Sequence, residues 1–325
     1  MFSMKTTALR TVLAPIAWGT TYVTVTELLP AGRPLLVAAV RVAPAGLLLL
    51  AIGRLSSRWR PSGIEWGRTA LLALCNFGLF FPLLIGAVYR LPGGVAAAAG
   101  GVQPLLVTAF SWAVVRRSPR RHELLTGVIA AIGVGLVVVR PGAGLDPVGV
   151  LLALGANVSF AMGVVLTKRF PTPSNRIAAT GWQLTMAGAL LLPVALVAEG
   201  APPRLTGEHL VGFAYLSLVA TGVAYVLWFD GIRKLPAPAP PLLGLAAPVT
   251  GAVMGWAVLG QSLSPVQLLG FAVTLGAIAR GATLPAGDGP VPSQAWPERA
   301  ASRTSATQTA GDAGSATSPS IPACP

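Results

Sequence analysis

The stretch from Leu91 to Trp112, LPGGVAAAAGGVQPLLVTAFSW, returns from Leu235 to Trp256 as LPAPAPPLLGLAAPVTGAVMGW. Pro92, Pro104 and Trp112 match Pro236, Pro248 and Trp256 at a single offset of 144, without a gap. Both copies are apolar and long enough to cross a bilayer, which takes about 20 such residues. Each carries a Pro near its middle. Such a Pro removes an N–H and frees a carbonyl. In lipid that is tolerated only where protein or a watery cavity re-satisfies the backbone. Two Pro-interrupted spans at matching places in two halves point to a transporter's binding site, with Pro104 and Pro248 as its structural markers.

Composition agrees with a chain built for lipid. Of 325 residues, 54% are hydrophobic and only 10% charged, and the mean hydropathy is +0.71. A soluble domain carries about 25% charged residues. The formal charge of +13 is spread in short runs between apolar spans. That pattern sets membrane orientation and does not make a nucleic-acid face. Cys75 and Cys324 offer neither a disulfide framework nor metal-ligand spacing, so no metal and no cofactor is expected. The basic start, MFSMKTTALR, leads into an apolar run too long for a signal-peptide core, and it reads as the first span.

Ten spans are expected, at residues 8–28, 35–52, 69–88, 93–115 and 124–139, then 148–167, 177–197, 210–229, 237–259 and 266–279. Arginines and lysines alternate between the loops. Arg54, Arg58, Arg60 and Arg68 follow the second span, and Arg116, Arg117, Arg120 and Arg121 the fourth. Lys168, Arg169 and Arg176 follow the sixth, and Arg233 and Lys234 the eighth. The opposite loops hold only Arg33, Arg90, Arg140 and Arg204. The positive-inside rule then puts both termini in the cytoplasm.

Each copy has an odd number of spans, so the second enters the membrane upside down. The loop charges agree: Arg116 and Arg117 are inside, and the matching Gly260 and Gln261 are outside. Gly127 and Gly133 match Gly270 and Gly276 at 143, and Gly46 matches Gly188 at 142. The expected fold is all-α integral membrane, with ten transmembrane helices as two inverted five-helix repeats around a central cavity. The repeats occupy residues 1–145 and 146–281. Residues 282–325, rich in Ser, Thr, Ala, Pro and Gly, read as a disordered cytoplasmic tail. A duplicated scaffold without transport is the alternative.

Few polar residues lie within the spans. Arg41 falls seven residues past Pro34, so about 10 Å below the outer surface. A charge there is costly and faces a cavity or a partner. Its two readings are a contact to an anion and a guanidinium that snorkels or is satisfied by helices. Gln183 matches Arg41 in the other half, as interhelical bonding or substrate contact. Trp18, Gln103 and Asn157 fall near the midplane. Trp18 either stacks on a ligand or packs. Gln103 either serves the backbone broken by Pro104 or meets a ligand. Asn157, and Asn76 nearer the inside, are interhelical bonds or contacts. Tyr89, Tyr225, Trp228 and Trp182 read as interface aromatics. Glu27 and Asp230 lie near span ends.

The first span's AWGTTYVTVTELLP, with Trp18 and Gly19, resembles the opening Trp-Gly motif of EamA-type drug/metabolite transporters. AAVRVAPAGLLLLA, with Arg41, resembles the second span of that family, and Phe81 to Gly133 and Tyr225 to Gly276 resemble its recurring core. The resemblance covers about residues 8–280. It implies ten helices around a cavity, and export of amino acids, other metabolites or drugs. Many members carry a Glu after the fourth and ninth spans, where this chain has VVRRSPRR and Gln261 in VLGQSLSP.

The function expected is a secondary transporter exporting small metabolites by alternating access. It would sit multi-pass in the cell inner membrane, with a small-molecule substrate and the bilayer as partners, no nucleic acid, and a homodimer left open. An intramembrane enzyme is the weaker alternative. His122 and His209 lie at loops on opposite sides, and no Asp pair lies in the spans to activate a nucleophile. A non-transporting scaffold or sensor is the other.

Overall fold

The computed structural model describes residues 2–91, 99–116, 121–138, 146–236, 239–259 and 264–283. The tail beyond 283, with Cys324, lies outside the described residues. So do Pro92, Arg117, Arg120, Arg140, Gly260 and Gln261.

Among the described residues there is no strand, and the helices fall into ten segments. The first, α1, covers Phe2–Gly19 and, past Thr20, Thr21–Leu28. Then come α2 (Pro34–Ser56), α3 (Ile64–Val88), α4 (Ala99–Val115) and α5 (Arg121–Val138). The second five are α6 (Pro147–Arg169), α7 (Arg176–Glu199), α8 (Gly207–Lys234), α9 (Ala239–Gly244 and Ala246–Leu259) and α10 (Pro265–Thr283). Six segments, α2, α3, α6, α7, α8 and α9, are long and apolar enough to cross a membrane, and α4, α5 and α10 hold shorter apolar stretches.

Local chemistry sets the ends. Pro34 and Pro147 open α2 and α6, where a missing N–H costs nothing. Asp146 and Asn175 cap α6 and α7, accepting from Val148 N and Ala178 N at 2.9 Å each. Gly200, at φ +76°, ends α7 in a conformation that side chains resist. Pro104 and Pro248 do not kink continuous helices. Pro104 follows the tighter turn Ala99–Val102 and opens the regular part of α4, and Pro248 stands near the start of Ala246–Leu259. α3 and α8 instead contain widened i→i+5 turns, at Leu74–Gly78 and Tyr215–Val223.

The segments pack in related pairs. α3 lies on α6 and α8 on α1; α4 lies on α6 and α9 on α1; α5 lies on α10 and α2 on α7. In the last pair Ala43, Gly46, Leu50 and Gly53 meet Gly188, Thr185, Gly181 and Ala178 in that order. One series climbs as the other descends, so α2 and α7 run antiparallel. The steps of three, four and three residues form a heptad-like seam, and its small residues bring the backbones close. A Cβ on Gly46 would lie 2.6 Å from Thr185 N. The main core joins α1, α2, α3, α6, α7 and α8, and outward residues such as Leu55, Leu151 and Val197 are exposed apolar side chains suited to lipid.

Candidate functional site

A central cavity opens between α1, α2, α3, α4, α6, α8 and α9, with about 690 Å³ of space not filled by protein, its mouth included. Its wall repeats itself. Phe81, Leu84, Gly100 and Gln103 line it, and so do Tyr225, Trp228, Gly244 and Ala247, each 144 residues on. Trp18 and Phe160 add a pair at 142. The cavity thus draws matching residues from both halves of the chain.

Arg41 is 1% exposed. Its Nε donates to Thr221 Oγ1 at 2.7 Å and its Nη2 to the Ala220 carbonyl at 3.1 Å. Its Cζ stands 4.2 Å from the centre of the Phe81 ring, a cation–π distance. Ala220 and Thr221 both lie in the widened turn of α8. The Ala220 carbonyl also accepts from Trp18 Nε1 at 3.0 Å, so this turn anchors two of the sequence-predicted residues at once.

Trp18 sits where α1 breaks. Its ring lies 4.8 Å from Tyr225, 5.1 Å from Trp228 and 5.6 Å from Phe160. Gln103 opens the regular part of α4 on the cavity wall, and Pro248 lines the wall from α9. Pro104 is buried and is not among the lining residues. Asn157 lines the wall from α6 and donates to Ala153 O of its own helix at 2.8 Å.

Asn76 and Gln183 stand apart from the cavity lining. Asn76 is fully buried in the widened turn of α3, against Gly163, and both atoms of its amide lack a partner within the protein. Gln183 is buried on α7 with an unpartnered Oε1.

Sequence reasoning placed Tyr225 and Trp228 at the membrane interface. The structure buries them, at 0% and 1% exposure, in the cavity wall. α8 extends five residues past Phe229, to Lys234, so both rings lie deeper than a count from the span end suggests. Thr21, Tyr22, Phe80 and Phe160 were also missed. The signal that finds most of this wall is the 144-residue register itself, which pairs Phe81 with Tyr225 and Leu84 with Trp228.

Four buried polar atoms on lining residues have no hydrogen-bond partner: Arg41 Nη1, Thr21 Oγ1, Tyr225 Oη and Trp228 Nε1. Each such atom costs about 1–3 kcal/mol when left unsatisfied. All four are closed off from solvent in this state, so a ligand in the cavity meets them only where the wall side chains turn toward it. No Asp or Glu is among the lining residues, and no cluster of His, Cys, Asp or Glu suited to a metal occurs among the described residues.

Known proteins resemble this chain along its length. The model of the EamA-like transporter family matches twice, at residues 5–139 and 147–280. PecM of Dickeya dadantii is 38% identical over 259 residues, 79% of this chain and 86% of that protein. The inner membrane transporter YedA of Escherichia coli is 28% identical over 270 residues, 81% and 86% of the two chains. A solved crystal structure superposes on 86% of this chain and 97% of its own, with a TM-score of 0.70 at 20% identity, a likeness of fold alone.

Proposed function

The chain belongs to the EamA-like transporter family, a multi-pass membrane family of transporters and not of enzymes, and from that premise we propose a secondary carrier that moves small organic solutes through the central cavity by alternating access. The observation that carries this reading is the cavity wall, where residues 142 or 144 apart face one space. A binding site on the axis between two halves is what rocking of one half against the other requires.

We read the ten segments as spans in two inverted five-helix repeats, residues 1–145 and 146–281. Three observations support the inversion. α2 and α7 hold matching places in the two halves and run antiparallel. Exchanging the halves turns the packing of α3 on α6 into that of α8 on α1, and the packing of α4 on α6 into that of α9 on α1. The widened turns of α3 and α8 also fall at matching places, with Gly78 and Gly222 in register at 144. We assign Arg41, Trp18, Gln103 and Asn157 to the site, a reading supported by their place on the cavity wall. In the opposite-facing state the halves exchange conformations, which brings Gln183 and Asn76 toward the wall. The inner membrane, cytoplasmic termini and export complete the proposal. They rest on the name of the YedA relative, the alternating loop charges and the family resemblance.

Flux into sealed vesicles tests the reading. Purified protein should carry some members of a panel of labelled organic acids, amino acids and amines faster than empty vesicles do. Trp228→Ala should abolish that excess, because it removes one wall of the cavity. Flux no faster than in empty vesicles for every member would refute a carrier.

A further inference from the structure

Resting on the carrier reading above, we propose that the cavity selects organic monoanions with a planar aromatic body, and aromatic carboxylates in particular.

Charge gives the sign. Arg41 is the one ionised side chain among the lining residues. Thr221 and the Ala220 carbonyl, which take Arg41 Nε and Nη2, are neutral, so neither contact offsets a guanidinium charge. An ammonium group entering here meets a like charge and no carboxylate. A dianion such as a phosphate ester meets only one cation.

Hydrogen-bonding capacity gives the headgroup. Arg41 Nη1 and Trp228 Nε1 can only donate, and the hydroxyls of Tyr225 and Thr21 can do so. All four lack partners within the protein. A carboxylate is acceptor-only and takes several donors, and its bonds to guanidinium are the strong, charge-assisted kind. A neutral amide spends half its capacity on donors that the cavity does not answer.

Ring geometry gives the body. Phe160 and Trp228 lie nearly parallel, 20° apart with centroids at 6.2 Å, and Trp18 meets Phe160 edge-on at 86°. Phe80 stacks on the same Phe160 at 4.8 Å. Such a set of faces and edges receives a flat ring on its own terms and a branched aliphatic chain poorly.

The test is binding to the purified full chain in lipid nanodiscs, by quenching of tryptophan fluorescence and by thermal shift. The probes are 2-naphthoate, 2-naphthamide and 2-naphthylmethylammonium, which share one ring system and differ in charge. Naphthoate should bind about tenfold or more tighter than the amide, as one charge-assisted bond implies, with the ammonium weakest. Arg41→Gln should remove that preference. Should Arg41→Gln fail to fold, Tyr225→Phe deletes only a hydroxyl without a partner. It should weaken naphthoate several-fold and the amide less. Equal or tighter binding of the amide or the ammonium, or no binding of any probe, would overturn the proposal. The carrier reading fails separately. Naphthoate bound with this preference but never moved across vesicles upholds the ligand class and removes the carrier. Amines or neutral aromatics carried in preference to naphthoate uphold the carrier and remove the class.

Discussion

Arg41 is a buried cation whose hydrogen-bond acceptors, Thr221 Oγ1 and the Ala220 carbonyl, are both neutral, and that makes Thr221 a sensitive residue outside the cavity lining. Its Oγ1 is the one side-chain hydrogen-bond acceptor of Arg41 among the described residues, beside the Ala220 carbonyl and the Phe81 ring face. Thr221→Val keeps the shape and deletes the acceptor, leaving a second guanidinium donor unsatisfied. The expected loss is about 1–3 kcal/mol of stability, read as a lower melting temperature in detergent. Thr221→Ser should restore most of it, and equal melting of the valine and serine variants would contradict the role. Thr221 itself was not legible in the sequence, because a Thr in an apolar span carries no sign of what it faces. Arg41 and Trp18 were legible because a charge or a large aromatic deep in a span is costly or conspicuous by itself. Tyr225 and Trp228 were misread for a different reason. Distance from a span end is a poor measure when the helix runs on to Lys234, and the register with Phe81 and Leu84 measures depth better.

At the scale of helices, the seam between α2 and α7 depends on residues without side chains. A Cβ on Gly46 would lie 2.6 Å from Thr185 N, and one on Gly188 would lie 2.8 Å from Ala43 Cβ. Backbone atoms in two packed helices cannot both yield. Gly46→Ala and Gly188→Ala should each cost about 1–3 kcal/mol by overpacking. Gly135, on α5, has nothing within 4 Å of its would-be Cβ. Gly135→Ala should be neutral or slightly stabilising, since Ala favours helix over Gly. Melting curves of the three variants decide it, and equal effects would mean that the seam is not tight. The all-helical, apolar character was readable from the apolar runs, and six of the helices are long and apolar enough to cross a membrane. The widened turns were not, since a change from i→i+4 to i→i+5 pairing leaves the hydrophobic pattern nearly unaltered. Pro104 and Pro248 stand near the starts of regular helices and do not bend continuous ones.

For the whole molecule, the offset of 144 was the most informative sequence feature, because it connects residues that ordinary motif reading keeps apart. It anticipates a wall shared by two halves, though not which side of the membrane each half faces. The alternating loop charges supply that orientation as a prediction. Reporter fusions after Arg33, Arg140 and Arg204 should give external signals, and fusions after Arg58 and Arg169 cytoplasmic ones. The reverse pattern would turn the protein over in the membrane. The central claim is that one cavity opens to each side in turn, and accessibility of Gln103 tests it most directly. Gln103→Cys in a background with Cys75 and Cys324 replaced puts a lone thiol on the cavity wall. A membrane-impermeant thiol reagent should label it from either face of oriented vesicles. Labelling from one face only, or from neither, would contradict alternating access through this cavity.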